Sequence, residues 1–156
     1  MARGIIRKRQ GVMKAVIQRV LKANLKVDGK TVSKIDKGLV VFLGVSRTDG
    51  TTEAEYFIKK LPSLRIFEDE NEKINRSITD VGGEILLVSQ FTLFADASHG
   101  NRPSFTDAGD PETAKELYLY VGKGLENSVP VKYGVFGADM KIEQINDGPF
   151  TVIMEK

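Results

Sequence analysis

Hydroxyl and amide side chains interrupt an apolar run at Ser89-Gln90-Phe91-Thr92, directly after Ile85-Leu86-Leu87-Val88 and before Leu93-Phe94. In an extended chain side chains alternate, so Gln90 and Thr92 share one face and Ser89 and Phe91 the other. A second stretch of similar character, Asn146-Asp147-Gly148-Pro149-Phe150-Thr151, lies near the C-terminus. Such groups can line an oxyanion pocket or hold a substrate in register, and they supply no strong base. Each stretch also has a plainer reading. The first fits an edge strand whose polar residues face water, and the second an ordinary Asp-Gly-Pro turn. Only about 5–6% of X-Pro bonds in folded proteins are cis, so the residues alone do not argue for anything unusual there.

Other chemistries fare worse. The absence of cysteine excludes disulfides, thiolate metal sites and cysteine nucleophiles. A Ser-His-Asp arrangement would need His99, the only histidine, to serve Ser89 or Ser104, yet it sits in the polar loop Ser98-His99-Gly100 and reads better as solvated. Glu68, Asp69, Glu70 and Glu72 form a charged turn, Asp96 and Asp107 flank a long loop without an obvious partner, and no glycine pattern matches a phosphate loop. No metal and no cofactor are expected. Thr92 is a nucleophile by type, but no base is visible to activate it, which favours a positioning role.

The elements that must carry these residues are mostly strands. Ala15-Val16-Ile17 with Val20 and Leu21 reads as a first strand. Leu25 and Val27 alternate with polar residues up to a turn at Asp28-Gly29, and Val32 and Ile35 return as a hairpin. Gly38–Val45, apolar on both faces, reads as a buried central strand. Thr51 or Thr52 can cap a helix with Ala54, Phe57, Ile58 and Leu61 at helical spacing, ended by Pro62. Short strands are expected at Leu64–Phe67 and, after Gly82-Gly83, over Glu84–Ala95. The loop from Asp96 to Asp110 is too long to be an idle connection. Asp110-Pro111 starts a second helix with Ala114, Leu117, Tyr118, Val121 and Leu125 as its buried stripe. Strands follow at Val131–Phe136, Met140–Ile145 and Phe150–Met154. The sum is an α/β fold in a single domain, strand-rich, with layered or barrel-like mixed sheets and two main helices in a three-layer α/β/β arrangement.

The formal charge of +2 hides an asymmetry. Arg3, Arg7, Lys8 and Arg9 lie in the first twelve residues with no acid, and without them 19 basic residues face 21 acidic ones. The body is therefore not a basic nucleic-acid binder of the usual kind, and RNA contact must be local. Lys22, Lys26, Lys30 and Lys34 offer a basic surface, although a solvated hairpin face is the better reading of them. Met13 followed by Lys14-Ala15-Val16 reads like a natural start, with residues 1–12 as an extension to a domain spanning 13–156. No apolar run reaches the roughly 20 residues of a membrane helix, and cytoplasm is the default location.

One resemblance draws these stretches together. Gly82-Gly83-Glu84 leading to Ser89-Gln90-Phe91-Thr92-Leu93, then Gly100-Asn101-Arg102-Pro103-Ser104-Phe105, Phe136-Gly137-Ala138-Asp139-Met140 and Asn146-Asp147-Gly148-Pro149 closely resemble the D-aminoacyl-tRNA deacylases. The likeness runs from Met13 to the C-terminus and departs in the N-terminal extension and at Phe150, where smaller aliphatic residues are familiar.

The resemblance implies hydrolysis of the ester of D-aminoacyl-tRNA, and of mischarged glycyl-tRNA, by a homodimer with active sites at the subunit interface. Its partner would be the aminoacylated 3′ end of tRNA, with no DNA and no membrane. It implies a cis Gly148-Pro149 peptide that projects into the partner subunit's pocket, with carbonyls holding the ammonium and Arg19 fixing the motif. Ser89, Gln90, Phe91 and Thr92 would form the opposite wall, with backbone amides around Gln90 and Phe91 facing the ester carbonyl. Phe91, Phe136, Gly137, Ala138 and Met140 would hold the terminal adenosine.

The physics is consistent with that assignment. An aminoacyl ester is already activated, so positioning and oxyanion stabilisation can suffice without a histidine, and a ribose hydroxyl of the tRNA can add the missing polar group. If ammonium and ester are both fixed, an L side chain is driven into rigid backbone while a D side chain points away. Discrimination of about ten thousandfold needs roughly 5.5 kcal/mol, which a steric clash can deliver. Glycine, with nothing to clash, is not excluded. Related editing enzymes for L or achiral residues, and a binder of tRNA ends without catalysis, are the competing readings.

Overall fold

A computed structural model describes residues 12–156, so the reading of residues 1–12 as an extension falls, Val12 apart, outside the described residues. The spine is β1, Lys14–Val27, with β2, Lys30–Ile35, and β3, Gly38–Gly44, antiparallel along one edge. Ala23 faces Ile35 and Val20 faces Gly38, so the register does not change across Asp36-Lys37. β2 and β3 are thus one interrupted strand, returned onto β1 through Asp28 (φ 51°) and Gly29 (φ 78°), the two positive-φ positions a tight hairpin turn requires.

β3 pairs in parallel with β6, Glu84–Ser89, which pairs in parallel with β7, Val131–Tyr133. Parallel neighbours need crossovers. The first contains α1, Thr51–Lys60, and the small ribbon of β4, Phe67–Glu68, and β5, Ile74–Arg76; the second contains α2, Pro111–Leu125. Leu39, Val41, Leu43, Ile85 and Leu87 form one core with Phe57, Leu61, Leu117, Val121 and Leu125 of the helical layer. Val40, Leu86 and Val88 belong to a second core with Val20, Leu25 and Ile35, flanked by Met140 and Ile142. Burial on both faces is why β3 and β6 read as continuous apolar runs. The Ser33 hydroxyl donates to the Tyr133 carbonyl (2.5 Å), tying β2 to β7 and curling the sheet almost closed around the second core.

β8, Lys141–Glu155, runs antiparallel along the other edge of β1. Here the expectation of two strands separated by a turn is corrected. Pairing holds from Lys141 to Asn146 and again from Thr151 to Glu155, with a register shift between. Asn146-Asp147-Gly148-Pro149-Phe150 is a bulge within one strand, because β1 supplies partners on both sides and overrides the local turn chemistry.

Other boundaries differ too. The first strand and the first limb of the hairpin are a single strand, β1. The expected strand over Glu84–Ala95 ends at Ser89, and Phe91–Phe94 form a 3₁₀ turn, so the face alternation expected for Gln90 and Thr92 does not apply. Leu61–Ser63 is also a 3₁₀ turn, leaving only Phe67–Glu68 as strand in that region, and β7 stops at Tyr133 rather than Phe136. Gly50, not a threonine, caps α1, its N–H donating to the Glu53 carboxylate (2.7 Å). α2 starts and packs as expected, with Asp110 accepting from Thr113 N–H (3.1 Å).

Candidate active site

At the C-terminal end of β6 the sheet opens into a cavity of about 490 Å³. Its wall includes Val88, Ser89, Gln90 and Phe91 from the strand end, Phe136, Gly137, Ala138, Asp139 and Met140 from the segment between β7 and β8, and Ile142. Val45, Ala108, Gly109, Pro111 and Ala114 complete it. Two stretches nearly fifty residues apart therefore meet in one apolar hollow, because β6 and β7 are parallel neighbours that end on the same side.

The strand end is shaped by its hydrogen bonds. Gln90 N–H donates to the Leu43 carbonyl (2.9 Å), which continues the β3 ladder by one residue before the chain turns. That amide is committed to structure. The amides of Phe91 and Thr92 open the 3₁₀ turn, where the first N–H groups have no partner within the helix. The Gln90 side-chain amide donates to the Thr92 hydroxyl, and Thr92 itself is exposed and does not line the cavity. Asp139 is the one acid or base among the lining residues, and Lys141 holds it at 2.9 and 3.0 Å. His99 is exposed in its loop. Among the described residues no group of His, Cys, Asp and Glu could hold a metal ion.

Of the lining residues that sequence reasoning missed, Val88, Asp139 and Ile142 lie close in sequence to predicted ones, while Val45, Ala108, Gly109, Pro111 and Ala114 come from the end of the long loop, the start of α2 and the chain beyond β3. Gly109 N–H donates to the Val45 carbonyl (2.9 Å), and a Cβ there would sit 3.0 Å from the Ser46 carbonyl, so glycine lets the loop lie against the strand. The loop's length was the available signal. Two aspartates brace this wall. Thr113 N–H holds the Asp110 carboxyl below its ordinary value, whereas burial pushes Asp49, whose carboxylate accepts from Ser46 N–H (2.6 Å), upward.

Arg19, Gly148 and Pro149 lie elsewhere. Arg19 pairs with Leu39 and thence with Ile85, whereas Ser89 pairs with Leu43. The two levels are four residues apart along β6, about 13 Å, and two strands apart across the sheet, about 10 Å. Arg19 is 4% exposed and donates through Nη1 to the Ile66 carbonyl (2.8 Å) and through Nε to the Asp147 carbonyl (3.2 Å). Its Nε also lies 3.4 Å from the Asp147 carboxylate, and its guanidinium covers the Phe150 ring at 5.0 Å. Both neighbours of the Gly-Pro pair are thereby clamped. The Gly148-Pro149 peptide is cis, Gly148 has φ 125°, and both residues are exposed on the surface.

Comparison with known proteins identifies relatives of the whole fold. A family model described as D-Tyr-tRNA(Tyr) deacylase matches residues 16–155. The D-aminoacyl-tRNA deacylase of Geotalea uraniireducens (strain Rf4) is 53% identical over 144 residues, covering 92% of this chain and 93% of its own. That of Fusobacterium nucleatum is 49% identical over 144 residues, covering 92% and 95%. A solved structure titled c-Myc DNA Unwinding Element Binding Protein superposes with a TM-score of 0.87 at 40% identity, over 92% of this chain and 98% of that one. A probable eukaryotic D-amino acid tRNA deacylase, 18% identical with a TM-score of 0.78 over 93% and 100%, shares the fold. The chain belongs to the D-aminoacyl-tRNA deacylase family of hydrolases.

Proposed function

We propose that the cavity holds the terminal adenosine and ester of a D-aminoacyl-tRNA, and that the Gly148-Pro149 bulge of a second copy completes the site and rejects L residues. The observation that carries this reading is the split within one chain. Ser89, Gln90 and Phe91 share a cavity with Phe136, Gly137, Ala138 and Met140, while Gly148 and Pro149 stand exposed more than ten ångströms away along the sheet. A volume of about 490 Å³ suits a small ligand, and the apolar wall suits a purine ring.

The reaction adds water across the ester: the acyl C–O bond breaks, the acyl carbon gains hydroxyl, and the ribose oxygen leaves with a proton. The amides of Phe91 and Thr92 face the developing oxyanion, in place of Gln90, whose N–H already serves Leu43. Thr92 positions, with its hydroxyl engaged by Gln90. The carbonyls of the clamped bulge hold the ammonium, so chirality is read at the α-carbon and the side chain is ignored. Glycyl-tRNA is cleaved as well.

β8 supports the second copy. It is an edge strand of 15 residues, with Ile145 47% and Ile153 68% exposed, an edge that proteins ordinarily cover. Purified protein given D-Tyr-tRNA and L-Tyr-tRNA should release tyrosine from the first alone. Equal release from both would refute the stereochemical role.

A further inference from the structure

We infer that Phe105 and Arg102 extend the site by one nucleotide, forming a subsite for the residue that precedes the terminal adenosine. This rests on the proposed placement of that adenosine. Phe91 lines the cavity yet is 57% exposed, so its ring marks the mouth. The ring of Phe105, 37% exposed, meets it edge-on at 5.1 Å with planes at 63°. One aromatic surface thus continues from the cavity onto the outer face.

The backbone that carries Phe105 is held on both sides of the ring. The Asp96 and Ser104 backbones exchange hydrogen bonds (2.8 and 2.9 Å) immediately before Phe105, and Ala108 N–H donates to the Phe105 carbonyl (3.1 Å) just after it. The ring is presented by a fixed piece of backbone. Bases of unpaired nucleic acid stack on such rings irrespective of sequence. Arg102, exposed three residues earlier on the same loop, makes no ion pair among the described residues and can meet a backbone phosphate.

The occupant follows from continuity. A chain whose last nucleoside fills the cavity must leave through its mouth, and the next base along is the first to reach Phe105. A double helix could not place a base there, so the contact belongs to the unpaired 3′ end.

Two small substrates isolate this contact: the D-tyrosyl ester of adenosine, and the D-tyrosyl ester of cytidylyl-(3′→5′)-adenosine. The full chain should hydrolyse the dinucleotide ester with the higher kcat/KM. Phe105→Ala should erase between about five- and a hundredfold of that preference, the range that one stacked base supports. Phe105→Trp, which keeps the stacking face, should retain it. Arg102→Ala should reduce the preference further and flatten its decline with salt. A preference unchanged in Phe105→Ala, or absent in the unaltered chain, would overturn the subsite while leaving the adenosine site intact. Failure to cleave either ester would instead refute the adenosine placement, and the subsite with it.

Discussion

In the proposed function Thr92 acts through its side chain and Gly148 through its backbone. The Thr92 hydroxyl accepts from Gln90, and among the described residues no base hydrogen-bonds to it, so a proton could not leave it readily. Thr92→Ala should lower kcat by less than about a hundredfold, below the losses of around a millionfold seen when a true nucleophile is removed. Single-turnover hydrolysis of D-Tyr-tRNA measures this, and a complete loss in a folded variant would restore the nucleophile. Gly148 is bound by different physics. Its φ of 125° is strained for any residue with a Cβ, and that Cβ would lie 2.9 Å from Phe150 N. Gly148→Ala should therefore displace the bulge and lower the ratio of D to L hydrolysis while the protein remains folded. An unchanged ratio would separate the bulge from stereoselectivity.

Among the elements, the helices and the two central strands were legible. β3 and β6 are apolar on both faces because helices cover one side and the curled hairpin the other, and α2 carries its start signal in Asp110-Pro111 and its stripe in Ala114 to Leu125. β8 was not legible as one strand. Asp-Gly-Pro is turn chemistry in isolation, and only pairing with β1 on both sides keeps the chain on course. The 3₁₀ turn after Ser89 was hidden for a related reason, since Phe91-Thr92-Leu93-Phe94 has strand composition and the turn is set by where Gln90 N–H finds Leu43. The cavity residues carried over by resemblance did converge, while its far wall depended on a loop whose path the sequence does not encode locally.

α2 also supplies a pH test. The bond from Thr113 N–H lowers the Asp110 carboxyl relative to its ordinary 3.8. A lowered acid contributes stability that is present above the unfolded value and is lost as pH falls through the folded one. Asp110→Asn keeps an acceptor without a titrating charge, so its urea midpoint should fall less steeply than the parent's below about pH 4. Parallel curves would remove Asp110 from the acid response.

For the molecule as a whole, the residues of the proposed site belong to two distant regions of one sheet. The formal charge without residues 1–12 is two negative, which does not favour a broad basic surface for nucleic acid. No described helix is long and apolar enough to cross a membrane. Under the proposed function, assembly of two copies makes the site. Ala138→Trp fills the cavity, and Gly148→Ala displaces the bulge. Each alone should have little activity on D-Tyr-tRNA. Refolded together in equal amounts, half the dimers would pair the two variants and carry one intact site each, restoring about a quarter of the unaltered activity by the symmetry of a twofold dimer. A mixture no more active than its separate components would contradict a site shared between two copies.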